Sequence, residues 1–217
     1  MGLTPTRDRE HTQIRSPTQC YDRIVHAPAA LCMIQHGAHE LAVQSMFETL
    51  QKMDNRVITA YGLSTESYGG KKREEKGLPP CQGSGQGNGA GPARFGATSS
   101  TGISIQRKKG FGSIIRMCLS LIQLIMACFM FINDDQLNQT EKDNTQPGEE
   151  VVPEAQRGLD SWVGYLSCAG GTINPEKSYW YLVDYLWTGT QWRYRSAQEM
   201  PGEVTTPNLE GEIKPLQ

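Results

Sequence analysis

The run from Ser113 to Ile132 constrains this chain more than any other, because a long, mostly apolar stretch has to be taken out of water somewhere. It is about as long as a membrane-crossing helix, which needs roughly 20 such residues. Arg116 and Gln123 interrupt it, with Ser120 between them, and Asn133-Asp134-Asp135 follows at once. An arginine near one end can snorkel to the headgroups, so a membrane-anchored protein with its span at 113–132 stays open as an alternative. The β-branched and aromatic content suits two buried strands of a hairpin, and we read it that way. On that reading no membrane partner is expected.

Hydrophobic residues make up 37% of the 217, and 23 glycines bring the apolar share near the usual globular level. That predicts a modest core with long connections. Basic and acidic residues nearly balance, 21 against 23, for a net charge of −2. A dedicated nucleic-acid binder normally carries a basic excess, so the balance argues against that class. The basic runs Lys71-Lys72-Arg73 and Arg107-Lys108-Lys109 read as solvated charge. Cys20, Cys32, Cys81, Cys118, Cys128 and Cys168 form no C-x-x-C pair. With no signal peptide, they read as reduced thiols in an intracellular protein of cytoplasm or nucleus, not secreted. His36-x-x-His39-Glu40 lacks a third ligand and reads as helix-end polarity rather than a metal site. Met1-Gly2 with Thr6 fits a myristoylation pattern short enough to arise by chance.

Residues 1–15 are polar and aperiodic and are expected to be disordered. Tyr21 to Val25 suits a short strand, and Ala29 to Gln35 a short helix ended by Gly37. Val43, Met46, Phe47, Leu50 and Met53 recur at helical spacing, and Val57, Thr59 and Tyr61 alternate as a strand. Residues 62–92 and 136–156 read as flexible loops, and Ala93 to Lys108 as a helix weakened by Ser99 to Gly102. Leu159, Trp162, Val163 and Leu166 mark a helix that Gly170-Gly171 stops. Tyr179, Tyr181, Val183, Tyr185 and Trp187 alternate along a strand whose hairpin partner is Gln191 to Arg195. Residues 197–217 read as a tail.

Four segments then fall in an informative order. They are Cys20-Tyr21-Asp22-Arg23-Ile24, the run Gln86-Gly87-Asn88-Gly89-Ala90-Gly91-Pro92-Ala93-Arg94-Phe95, Phe131-Ile132-Asn133-Asp134-Asp135, and Asn174-Pro175-Glu176-Lys177. Together they resemble the palm of a retrotransposon reverse transcriptase, an RNA-directed DNA polymerase. The resemblance runs from about Cys20 to Arg195 and implies an α+β fold, a palm-like antiparallel sheet backed by helices. The sheet is expected from the Tyr21, Val57, Phe129 and Tyr181 regions, with helices around Phe47, Phe95 and Trp162 behind it. Residues 16–196 would be this partial palm, with the fingers largely missing and no thumb, endonuclease or RNase H pattern after it.

The implied chemistry is nucleotidyl transfer on an RNA or DNA template-primer, with two Mg²⁺ or Mn²⁺ ions clamping the attacking and leaving oxygens. Hard cations take oxygen ligands, which such a palm supplies as aspartates from adjacent strands. Gln86, Gly87, Pro92 and Phe95 match the segment that lies against nucleotide and template. Lys177 matches a residue near the leaving phosphate, a proton donor there or an exposed turn lysine here. Tyr21 and Asp22 match the end of the first acidic motif, whose leading metal-binding Asp, six residues before Asp22, is Ser16. The paired acids align in two ways. Without a gap, Phe129, Phe131 and Leu137 keep their places and the pair is Asn133 and Asp134, which loses the first ligand. A one-residue slip makes Asp134 and Asp135 the catalytic, metal-binding pair. We favour the ungapped alignment. Ser16 and Asn133 then stand where two carboxylates are needed, so the expected protein is a degenerate, inactive polymerase relic. A partly disordered interaction protein is the other alternative.

Overall fold

The computed structural model describes residues 11–17, 24–69, 83, 89–116, 122–131, 134–140, 148–208 and 210–217. The architecture is mixed α+β, with four α-helices and small antiparallel sheets among the described residues. The chain divides into two compact units, residues 1–19, 102–167 and 172–217 in one, and 20–101 with 168–171 in the other.

The first unit is organised by a four-stranded sheet. Its strands are β1 (His11–Pro17), β6 (Cys128–Phe131), β7 (Asp134–Thr140) and β8 (Tyr179–Val183), in the order β6-β7-β1-β8. Every neighbouring pair is antiparallel. A segment expected to be disordered thus supplies the central strand. His-Thr-Gln-Ile-Arg-Ser-Pro has no apolar alternation to announce a strand, but β7 and β8 together satisfy its backbone groups from both sides.

Helix α4 (Gly148–Ala169) carries the core stripe Val151, Val152, Ala155, Leu159, Trp162 and Leu166, spaced three and four apart. They pack with Leu137, Ile173, Leu182, Val204 and Leu216 into the unit's main cluster. Each such aliphatic side chain, fully buried, stabilises by about 1.5–3 kcal/mol. Gly170, with φ +89°, ends the helix in the left-handed region that a side chain disfavours. The helix begins well before the expected position, so Val151 and Val152 fall inside the expected loop over 136–156. Residues 136–140 of that segment belong to β7, whose far end is buried.

Three two-stranded hairpins complete this unit. They are β4 (Ser113–Arg116) with β5 (Gln123–Met126), β9 (Tyr185–Trp187) with β10 (Trp192–Tyr194), and β11 (Thr205–Pro207) with β12 (Ile213–Pro215). The last lies in the expected tail, where Val204 and Leu216 are buried in the core. The expected pair of buried strands over Ser113 to Ile132 becomes the β4–β5 hairpin plus β6, and most of β5 is exposed. No helix among the described residues is long and apolar enough to cross a membrane.

The second unit contains α1 (His26–Gln35), α2 (Glu40–Lys52), the β2–β3 hairpin (Asp54–Thr59 with Gly62–Gly69) and the start of α3 (Gly91–Lys108). Ile24, Ala29, Val43 and Phe47 form its small core, with Leu50, Met46 and Phe95 against them. Buried His26 donates from Nε2 to the Gly83 carbonyl at 2.7 Å and stacks at 5.0 Å on Phe47. Val57 lies in a separate hairpin and not in the main sheet, and β3 occupies part of the expected 62–92 loop. Tyr21 lies outside the described residues.

Candidate functional site

The β6–β7 hairpin presents Asp134 and Asp135 as the first two residues of β7. Antiparallel pairing sets Pro17 opposite Asp134 and Ser16 opposite Asp135. On the other side of β1, Arg15 pairs with Tyr179. Lys177 lies two residues before Tyr179, in the 3-10 turn Pro175–Lys177. The Asn174 side chain caps that turn by accepting from Glu176 N at 3.1 Å, and Lys177 N donates to Asn174 O at 3.2 Å. One end of one sheet therefore gathers Ser16, Asp134, Asp135 and Lys177 across three strands, a span of roughly 10 Å at the usual strand spacing.

Alternation along β7 separates the two acids. Asp134 is exposed, whereas Asp135 is only 2% exposed. Its Oδ2 accepts from the Trp162 indole Nε1 at 3.3 Å, and its Oδ1 has no hydrogen-bond donor among the described residues. Burial pushes the Asp135 carboxyl up to about 7, the Trp162 bond pulls it down, and the Asp134 charge pushes it up again. Beside it, burial and then the Asp135 charge push the Cys128 thiol up to about 12, against a downward pull from the Gln136 backbone. Such a thiol is not a nucleophile at neutral pH.

These donors do not fit a pair of divalent ions. Two doubly charged ions need several ionised oxygens converging on one space. Here Asp135 turns towards α4 and is about half protonated near neutrality, Ser16 carries no charge, and Asp134 points the other way. Opposed positions of an antiparallel pair share a sheet face, so position 16 lies on the side of Asp135, not of Asp134. No group of three or more His, Cys, Asp or Glu arranged for a metal occurs among the described residues.

Gln86, Gly87 and Asn133 lie outside the described residues. Pro92 is exposed in the first turn of α3, and Phe95 packs against the core of the second unit, which gives that aromatic ring a structural role. Lys177 is exposed. Trp162 was legible only as a core residue. Its contact with Asp135 joins a helix to a strand across 27 residues, and no local pattern signals that. No family model and no curated protein matches the chain.

Proposed function

We propose that this chain is a reverse-transcriptase-derived palm, an RNA-directed DNA polymerase by ancestry that no longer transfers nucleotides. One observation carries the reading: the order β6-β7-β1-β8, in which the hairpin bearing Asp134 and Asp135 lies beside the end of β1. A palm needs its leading acid on a strand adjoining the hairpin of the paired acids, and Ser16 opposite Asp135 meets that topological requirement. The turn carrying Lys177 comes to the same end, and α4 backs the sheet. Loss of activity follows from the donor set. One exposed carboxylate cannot neutralise two divalent ions, and a missing carboxylate ligand costs several kcal/mol in such a site.

Primer extension on an RNA template with Mg²⁺ or Mn²⁺ tests this. The full chain is expected to add no nucleotides. Incorporation that vanishes in Asp134→Ala would overturn the inactivity.

A further inference from the structure

Helices α1 and α2 enclose a groove of about 390 Å³ within the second unit. Small-molecule sites commonly span roughly 300–1,000 Å³. The pair is antiparallel: His26, at the start of α1, stacks on Phe47 near the end of α2. The sequence leaves the space open. Ala27, Ala30 and Ile34 recur three and four apart along the α1 side of the groove, and the two alanines are too small to close against α2. Val43 and Phe47, one turn apart on α2 and both buried, form an apolar floor.

The polar groups of the groove nearly all accept hydrogen bonds. Glu40 is exposed at the first turn of α2 and makes no ion pair among the described residues. Two turns on, Glu48 meets Lys52 only at 3.6 Å, with both side chains in water. At the inner end, buried His26 donates from Nε2 to the Gly83 carbonyl at 2.7 Å, which leaves Nδ1 as the acceptor of a neutral ring. The two amides that could donate are directed at acceptors. Gln44 Nε2 reaches Glu48 Oε1 at 2.9 Å, and Gln51 Nε2 faces His26 Nδ1 at 3.5 Å, a stretched contact. No lysine or arginine lines the groove.

We propose that this groove binds a protonated amine carried on an apolar body. An ammonium group supplies three donors and no acceptor, the complement of two carboxylates, an imidazole nitrogen and two amide oxygens. Its apolar part covers the floor of Val43, Phe47, Ala30 and Ile34. A carboxylate or phosphate ligand would meet like charge at Glu40 and Glu48 and find no cation on the lining. The inference does not depend on polymerase ancestry.

Three probes of one shape test it on the full chain at pH 7: 4-phenylbutylamine, 4-phenylbutanol and 4-phenylbutyrate. Binding is read from the side-chain amide resonances of Gln44 and Gln51. The amine is expected to shift both saturably, to bind roughly fivefold or more tighter than the alcohol, and to leave the butyrate without measurable binding. Glu40→Gln should weaken the amine roughly threefold to fivefold and leave the alcohol unchanged. Ala30→Phe, which fills the space, should abolish both, while circular dichroism stays that of the parent. Equal affinity for amine and alcohol, binding of the butyrate, an amine affinity indifferent to Glu40→Gln, or no saturable shift with the amine would overturn the proposal.

Discussion

Two buried aspartates in the same unit have opposite surroundings. Asp184, at the junction of β8 and β9, is 0% exposed, and Arg195 reaches its Oδ2 from Nε at 2.7 Å. The same guanidinium donates to Glu199 O at 3.0 Å and Glu149 Oε1 at 3.1 Å, tying a strand junction to the start of α4. Asp135, nearly as deep at the end of the sheet, has one indole donor and no cation among the described residues, and its carboxyl rises to about 7. Burial alone therefore does not fix the charge of an acid; the groups that meet it do. The acid with a cation holds the fold together. The one without it stands where a metal ligand is expected and cannot serve well as one.

Removing the cation is expected to have the largest effect. Arg195→Ala leaves the Asp184 carboxylate buried without its counter-charge and should cost about 3–5 kcal/mol, read from urea denaturation. Asp135→Asn should act in the opposite sense. The folded carboxyl titrates near 7 and the unfolded one near 4, so the folded state holds a proton that the unfolded state has released. Stability then falls as pH rises from about 4 to 7, by up to about 1.4 kcal/mol per pH unit, and levels off above. The variant should lose this slope and be on the order of 2 kcal/mol more stable at pH 8, but not at pH 4, in thermal melts. Trp162→Phe is the smallest change. It should cost about 1–2 kcal/mol and move the midpoint of the pH dependence upward, because the indole N–H favours the charged carboxyl.

Legibility in the sequence follows the same physics. Helices α2 and α4 could be read because their buried residues repeat at 3.6-residue spacing, Val43 to Phe47 in one and Leu159 to Leu166 in the other. The strand at Tyr179 to Val183 was legible from its alternation, yet the buried position there is Leu182, on the opposite face from Tyr179, Tyr181 and Val183. Strand β1 was invisible because its stability comes from two neighbours more than a hundred residues away in sequence. The terminal hairpin was missed because Thr205-Thr206-Pro207 carries no apolar period, although Thr206 is buried. Of the candidate site, the acids and Lys177 were readable as motifs, but the opposite facing of Asp134 and Asp135 depends on register, which only the folded sheet fixes.

That register is also what the proposed polymerase ancestry depends on, and cross-linking reads it directly. Opposed residues of an antiparallel pair have Cα atoms about 4.5–5.5 Å apart, within disulfide reach. Ser16→Cys with Asp135→Cys, in a Cys128→Ser background, should close a disulfide on mild oxidation, located by peptide mass spectrometry. Ser16→Cys with Asp134→Cys should close far less. Equal cross-linking in both, or none in the first while the protein remains folded, would contradict a β1 strand lying against the acidic hairpin.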